Sequence, residues 1–412
     1  MNIQSILNTS TTWGPEADKL NANFTELEAK ADALETTTTE LEAKADALET
    51  TTTELEAQID ALQAASGGGG TTFNILAIRP QYYERDYVPR IKGALVAAYR
   101  ITLQVPKLAT NLGSVLLPFE EQEIVLSNAA AWDTTAGTNY TVAANRAGVN
   151  FYLYATANGL LLSANATVPS GYTAETSKQV GGFHCLCLSV GNISGHPLSG
   201  FLTGDILPAS VWDLAHRPIC SPAGMVYSAL ADIWVDIYLQ SGTGAATRSA
   251  FGGTITDTRD WMDFTDDLGA VGKRMLSDPE FHIAAAGGNE KTNIVGSADP
   301  VTTGGHVDTA GRRMINNVGC EDMTGALWQW LLDQSYMNGT TYVGSWNWLL
   351  LNGNKGSIYR TGTSPSSGDA KLRGGGDWAA GGYCGSRARD ISGPRWGLDS
   401  HTSSRGCARH RG

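Results

Sequence analysis

The sequence predicts a mainly β chain of α+β character, led by a parallel coiled coil and followed by a β-sandwich and a second β-rich domain. Three observations predict it. Charged residues make up only 17% of the 412 residues while glycine reaches 48, a balance that suits loop-rich β structure better than a helical enzyme. A leucine heptad occupies one N-terminal stretch and stops at a run of glycines. Beyond it, short apolar segments alternate with turn chemistry. At roughly 150 residues per domain the length allows two or three folded units, and an apolar fraction of 42% is enough for true cores.

Residues 1–19 read as a leader or attachment segment with Trp13 in it, and Pro15 suits the first position of a helix. The segment TELEAKADALETTT, Thr25–Thr38, then repeats at Thr39–Thr52, and TELEAQI follows from Thr53. Fourteen residues are two heptads, so a coiled coil is the natural reading of residues 20–66. Leucine recurs every seven residues at Leu20, Leu27, Leu34, Leu41, Leu48, Leu55 and Leu62. With these at d, position a holds Phe24, Ala31, Thr38, Ala45, Thr52 and Ile59. Lys30 and Lys44 fall at g and Glu35 and Glu49 at the next e, which pair across chains only in a parallel, in-register assembly. The seam does not set the number of chains. Residues 67–72 form a joint, since the four glycines Gly67–Gly70 cannot continue a helix.

Residues 73–201 read as strands, at Ala94–Leu103, Val115–Leu117, Glu123–Leu126, Asn150–Ala155, Leu160–Ala164 and Phe183–Val190. Turns such as Ala157-Asn158-Gly159 and Pro169-Ser170-Gly171 separate them. Short strands at this spacing predict a β-sandwich. His184 beside Cys185 reads as a satisfied strand histidine ahead of a metal ligand.

From residue 202 the pattern changes. DILPASVWDL, Asp205–Leu214, precedes Arg217-Pro218; Met225–Leu239 reads as a strand and Asp263–Leu276 as a helix. Six of the eleven tryptophans lie between Trp328 and Trp396. GCEDMTGALWQW (Gly319–Trp330), LRGGGDW (Leu372–Trp378) and CGSRAR (Cys384–Arg389) punctuate this half. Together these motifs resemble the C-type lectin fold of formylglycine-generating-enzyme type. More narrowly, they resemble the variable proteins of diversity-generating retroelements. The resemblance covers about residues 202–412, with a variable region near 355–412.

Composition gives an independent reading. Randomising the first two bases of an AAC-type codon cannot yield Lys, Glu, Gln, Met or Trp. Between Gly374 and Gly412 there is no Lys, Glu, Gln or Met, and tryptophan occurs only at Trp378 and Trp396. The resemblance implies an invariant frame at Gly375, Gly376, Trp378, Gly381, Cys384, Gly385, Ser386, Arg387, Arg389 and Trp396, with the two tryptophans as core anchors. It implies exposed, ligand-binding variation at Asp377, Ala379, Ala380, Tyr383, Asp390, Ile391, Ser392, Gly393, Gly397, Asp399, Ser400 and His401, and at Tyr359 upstream. Such a mixture of aromatic and small polar side chains resembles a paratope.

The function this implies is the receptor-binding tip of a phage tail fibre. Its partners would be a host cell-surface protein or glycan and, through the N-terminus, the phage tail or baseplate. The family suggests three chains per assembly, located in the virion and assembled in the host cytoplasm. A cellular, surface-displayed variable protein of the same fold is the alternative within the binding class.

Enzymatic readings fit less well. A formylglycine-generating oxidase needs a metal-binding cysteine pair, and Cys384 and Cys407 are the only late cysteines. A glycan depolymerase needs two carboxylates across a groove, whereas Glu321 and Asp322 are adjacent. No catalytic residue and no cofactor is therefore expected; a structural calcium at Asn316–Asp322 is the one metal candidate. The six cysteines, Cys185, Cys187, Cys220, Cys320, Cys384 and Cys407, contain no CxxC pair and read as free thiols. The net charge of −12 belongs mainly to residues 20–66, where eleven acids face two lysines. No block is basic enough for nucleic acid. No apolar run reaches the roughly 18 residues of a membrane span. Met1-Asn2-Ile3-Gln4 carries neither a basic nor an apolar signal region, so an ordinary secretory signal is not expected.

Overall fold

A computed structural model describes residues 19, 22–38, 44, 90–92, 99–105, 111–112, 115–133, 137–335, 347–351, 356–360 and 370–411. The chain separates into two units, Met1–Ile75 and Leu76–Gly412. The leader, the glycine joint and most of the heptad segment lie outside the described residues.

In the first unit residues 22–38 are helical. Lys30 pairs with Glu26 at 2.6 Å, one turn earlier. The hydroxyls of Thr36, Thr37 and Thr38 donate to the carbonyls four residues before them. The seam residues Phe24, Leu27 and Leu34 are 47%, 61% and 70% exposed among the described residues.

The second unit is mainly β. Its first part holds β1 (Arg90–Lys92), β2 (Arg100–Gln104), β3 (Asn111–Leu112), β4 (Val115–Leu116), β5 (Glu121–Val125), β6 (Asn150–Thr156), β7 (Gly159–Ser163), β8 (Ser177–His184) and β9 (Trp212–Asp213). The antiparallel sheet β1-β2-β5 and the antiparallel sheet β7-β6-β8-β9 share one core. Ile101, Leu103 and Ile124 come from the first sheet, and Phe151, Leu153, Leu162, Val180 and Phe183 from the second. Gly159, at φ +115°, closes the β6–β7 hairpin after Ala157-Asn158, where a side chain would be strained. The last strand of the larger sheet, Trp212–Asp213, lies beyond residue 201, where the composition shifts. The strand expected at Phe183–Val190 instead runs Ser177–His184; its end is set by pairing with Asn150–Thr156.

The remaining elements are β10 (Met225–Ser228), β11 (Ile233–Asp236), helix α1 (Trp261–Ala270), β12 (Arg274–Met275), helix α2 (Asp278–Ala284), β13 (Trp328–Ser335), β14 (Asn347–Leu351), β15 (Gly356–Arg360), β16 (Ala370–Gly375), β17 (Gly385–Pro394), β18 (Thr402–Ser403) and β19 (Gly406–Arg409). Four strands form the sheet β10-β11-β19-β12 and six form β14-β15-β17-β16-β13-β18. The aromatic segment Met225–Leu239 is thus a hairpin, β10 and β11, turned at Asp232 with φ +50°. The helix expected over Asp263–Leu276 ends at Ala270, capped at its start by Asp260, and the chain then enters β12. Helix α2 is set by the capping box of Ser277 and Glu280 with Pro279 in its first turn.

His184 joins the two parts. Asn150 Oδ1 accepts from the Gly224 N–H, and His184 Nδ1 lies 2.8 Å from the same oxygen. Nδ1 therefore carries the proton, and Nε2 accepts from the Tyr238 hydroxyl at 2.9 Å. Burial pushes this imidazole down to a pKa of about 3. The unfolded chain binds a proton here below about pH 6.5, which the folded chain refuses. The stability this neutral histidine carries is thus fully present above pH 6.5 and is lost as pH falls towards 3. Between pH 7 and pH 5 the wild type should lose about 2 kcal/mol more than His184→Gln. Urea titrations at both values check this, and equal losses would count against it.

Candidate functional site

Strands β13, β16 and β17 lie side by side and carry the motif residues. Gly375 and Gly376 end β16 with φ +100° and +85°. A Cβ on Gly375 would lie 2.6 Å from the Met323 carbonyl, and one on Gly376 2.8 Å from Cys384 Sγ. Only glycine fits either position. Cys384 is buried and its thiol donates to the Asp377 carbonyl at 3.3 Å. Gly385 and Ser386 are buried, and the Ser386 N–H donates to Glu290. Arg389 bonds Asp278 and the carbonyls of Ser386 and Ala388, with its guanidinium over the Phe281 ring. Trp378 is half-buried and closes two apolar clusters, one around Leu239, Ile255 and Leu327, the other around Ile294, Met314 and Ala326.

Two loops leave this platform, residues 376–384 and 394–401. His401 Nδ1 lies 2.7 Å from Asp377 Oδ2, and its ring stacks on Trp378 at 4.7 Å with 22° between planes. Beneath them sits Arg373, only 6% exposed. It bonds Asp390 and Asp399, and Thr402 Oγ at 2.7 Å, and faces the Trp330 ring at 5.2 Å. Burial pushes the Asp399 carboxyl up, but Arg373 and the His401 N–H outweigh it and hold it below the usual carboxylate range. Asp299, outside the motifs, borders the same loops. Burial and the neighbouring charges of Asp257 and Asp377 push its carboxyl up, against the pull of His401.

Of the positions expected to vary, the structure exposes Ala379, Tyr383 and Ser400 and leaves Ala380, Ile391, Gly397, Asp399 and His401 half-buried. Asp377, Asp390, Ser392 and Gly393 are buried, contrary to their expected exposure. For Asp390 and Ser392 the reason is the two-residue period of β17, which turns Arg387, Arg389 and Ile391 outward and Ala388, Asp390 and Ser392 inward; Asp377, in the first loop, is drawn in by its bridge to Ala326 and by His401. Gly393 lies against Trp330, with 2.9 Å to any added Cβ. Two frame assignments also change. Arg387 is exposed, and Trp396 is 54% exposed where a core anchor was expected. Trp396 sits in the tight turn Pro394–Gly397, beyond the end of β17. Gly381 lies half-buried in the first loop. Tyr359 pairs with Asp390 across β15 and β17; only its strand register is described. Sequence reading passed over Arg373 and Leu398. An arginine inside the buried strand Ala370–Gly375 was the available signal for the first; Leu398, 66% exposed, has none.

The metal candidate fares differently. Asn316 Oδ1 accepts from the N–H groups of Val318, Gly319 and Cys320, Glu321 is bound by Arg313, and Asp322 Oδ2 by Gly304 and His306. These oxygens are already occupied by protein donors, whereas Asp322 Oδ1 is buried without a hydrogen-bond partner among the described residues. Among the described residues no group of three or more His, Cys, Asp or Glu side chains could hold a metal ion, and no helix is long and apolar enough to cross a membrane.

Comparison with known proteins agrees with this architecture. Residues 111–213 match the family described as the Mtd second domain. The tail fiber receptor-binding protein of Bordetella phage BPP-1 is 28% identical over 300 residues, 62% of this chain and 78% of that protein. Among solved structures, the Major Tropism Determinant U1 variant superposes with a TM-score of 0.56 at 22% identity, covering 79% of this chain and 86% of its own. The P3c variant gives 0.56 at 23%, covering 78% and 85%. The resemblance read from the C-terminal motifs is borne out: the chain is similar to a phage tail fiber receptor-binding protein and shares the C-type lectin-like fold of the Major Tropism Determinant variants.

Proposed function

We propose that the chain is a phage tail fibre receptor-binding protein whose loops 376–384 and 394–401 contact the host surface. The observation that carries this is the contrast across one sheet end. Ala379, Tyr383, Trp396, Leu398 and Ser400 stand exposed over a platform fixed by Gly375, Gly376, Cys384 and Arg373. A rigid base under exposed aromatic and small side chains suits recognition with little ordering cost. The homologous tail fiber receptor-binding protein of Bordetella phage BPP-1 supports the reading.

The finer parts belong to the same proposal. The exposed heptad stripe of residues 22–38 is covered by parallel copies of itself, three per assembly, and avidity then multiplies weak single-site contacts. The virion, at a tail fibre tip, is the chain's location, and the N-terminus is its attachment to the tail. The lectin-like half is of formylglycine-generating type but is a binder. Cys384 and Cys407 are buried on separate elements, each thiol bonded to a carbonyl and pushed up by burial. Glu321 and Asp322 are buried, so they face no substrate groove.

The diversification is tested in the neighbouring DNA. A near-copy of the segment encoding residues 374–412 should lie near the gene, beside a reverse transcriptase gene. Its mismatches should fall at template adenines in codons of exposed positions such as 379, 383 and 400. A genome without such a copy, or mismatches confined to codons of buried residues, would sink this part of the reading.

A further inference from the structure

We infer that Arg373 is the positioning residue of the contact face, and that Asp390 and Asp399 are fixed by it and do not belong to the diversified set. The consequence for recognition rests on the receptor-contact reading; the geometry does not. Arg373 emerges from β16 into the space beneath both loops, its side chain 8% exposed. One terminal nitrogen meets Asp390 of β17, and the other meets Asp399 in the second loop and Thr402 at the start of β18. Asp390 is spent on both sides, since its second oxygen accepts from the Ser392 N–H at 2.8 Å and hydroxyl at 2.5 Å. The second oxygen of Asp399 accepts the His401 N–H at 2.9 Å.

This last bond passes the constraint to the other loop. With Asp399 fixed, His401 is held where its ring reaches Asp377 and lies flat on Trp378. Asp377 Oδ1 in turn accepts the Ala379 N–H at 3.0 Å, at the start of the exposed stretch. One buried guanidinium thus sets the spacing of both loops through two acids and a histidine. A guanidinium with so little access to water needs its counter-charges. A lysine would reach only one of them, because it lacks the planar fork.

It follows that sequence change at the face is channelled. Positions 379, 396, 398 and 400 can change without disturbing the platform, whereas a basic residue at 390 or 399 meets the buried Arg373 charge, and a neutral one at 399 releases the loops together. Hydrogen exchange on the full chain and on Asp399→Asn tests the coupling. Amides in 394–402 and in 376–384 should both exchange at least tenfold faster, with β6 and β8 unchanged. Acceleration confined to 394–402, or spread evenly over the chain, would overturn it. Single-site saturation at 379, 390, 399 and 400, scored by survival of thermolysin digestion, tests the restriction. Basic residues at 390 and 399 should be depleted at least tenfold relative to aspartate, while 379 and 400 accept nearly all types. Equal survival of lysine at 390 would refute the assignment. Neither readout uses a receptor, so both stand whether or not the face binds a host.

Discussion

Arg405→Met is expected to unfold the C-terminal half of the chain under conditions where the wild type is stable. Arg405 is fully buried. Nε donates to Gln329 Oε1 at 2.9 Å, one terminal nitrogen to the carbonyls of Asp236 and Ile237 at 2.7 and 2.6 Å, and the other to the Glu321 carbonyl at 2.5 Å. It therefore ties the end of β11, the loop before β13 and β13 itself to the chain entering β19. Methionine fills much of the volume but takes a donor from four buried acceptors, of which the Ile237 carbonyl keeps the Glu321 N–H. At roughly 1–3 kcal/mol for each, the loss is on the order of 5 kcal/mol or more, comparable with the whole stability of many domains. Urea unfolding followed by the fluorescence of buried Trp234 and Trp330 measures it. A change below about 1 kcal/mol would show that water replaces the side chain, and would remove Arg405 from the frame.

The second large effect is expected at Glu321. Arg313 grips both of its oxygens, at 2.6 and 2.8 Å, and the Gly305 N–H adds a bond at 3.1 Å. Acid and guanidinium are 1% and 7% exposed. Glu321→Leu leaves the Arg313 charge buried and unpaired, a loss of about 3–5 kcal/mol. Adding Arg313→Met should recover most of it, since a buried pair is worth little more than apolar side chains of the same size. A double-mutant cycle in urea checks this, and additive losses would show that the two residues act separately. The result also bears on the carbohydrate-cleaving reading, in which Glu321 would alter turnover and leave stability alone.

Much of this was legible in the sequence, for physical reasons that differ along the chain. The β6–β7 hairpin followed from Ala157-Asn158-Gly159 because a tight reversal demands glycine at positive φ. His184 read as a satisfied strand histidine, and its two bonds and complete burial agree. The glycines of the GGG motif were legible because close approach leaves no choice of residue at Gly375 and Gly376.

What stayed hidden was inside and outside. Asp390 and Ser392 looked like surface chemistry, yet the alternation of β17 turns them inward, where Arg373 meets the acid. Trp396 looked like an anchor because indoles usually find a core, yet a Pro394–Gly397 turn holds it in solvent. Arg373 and Arg405 escaped notice because arginine is ordinarily a surface residue, and only three-dimensional partners show when a guanidinium is structural. Helix α2 could have been read from Ser277, Pro279 and Glu280, which carry a complete start signal.

The central claim is that the two loops, held over a fixed platform, contact the host surface. Binding of the purified full chain to host cells, compared with Tyr383→Asp and Trp396→Asp, tests it most directly. Tyr383 is 37% and Trp396 54% exposed, so the melting temperature of each variant is measured beside its binding, and a variant counts only where the fold is retained. The account predicts at least tenfold weaker binding for one or both variants with the fold intact. Undiminished binding by both would place receptor contact elsewhere on the chain.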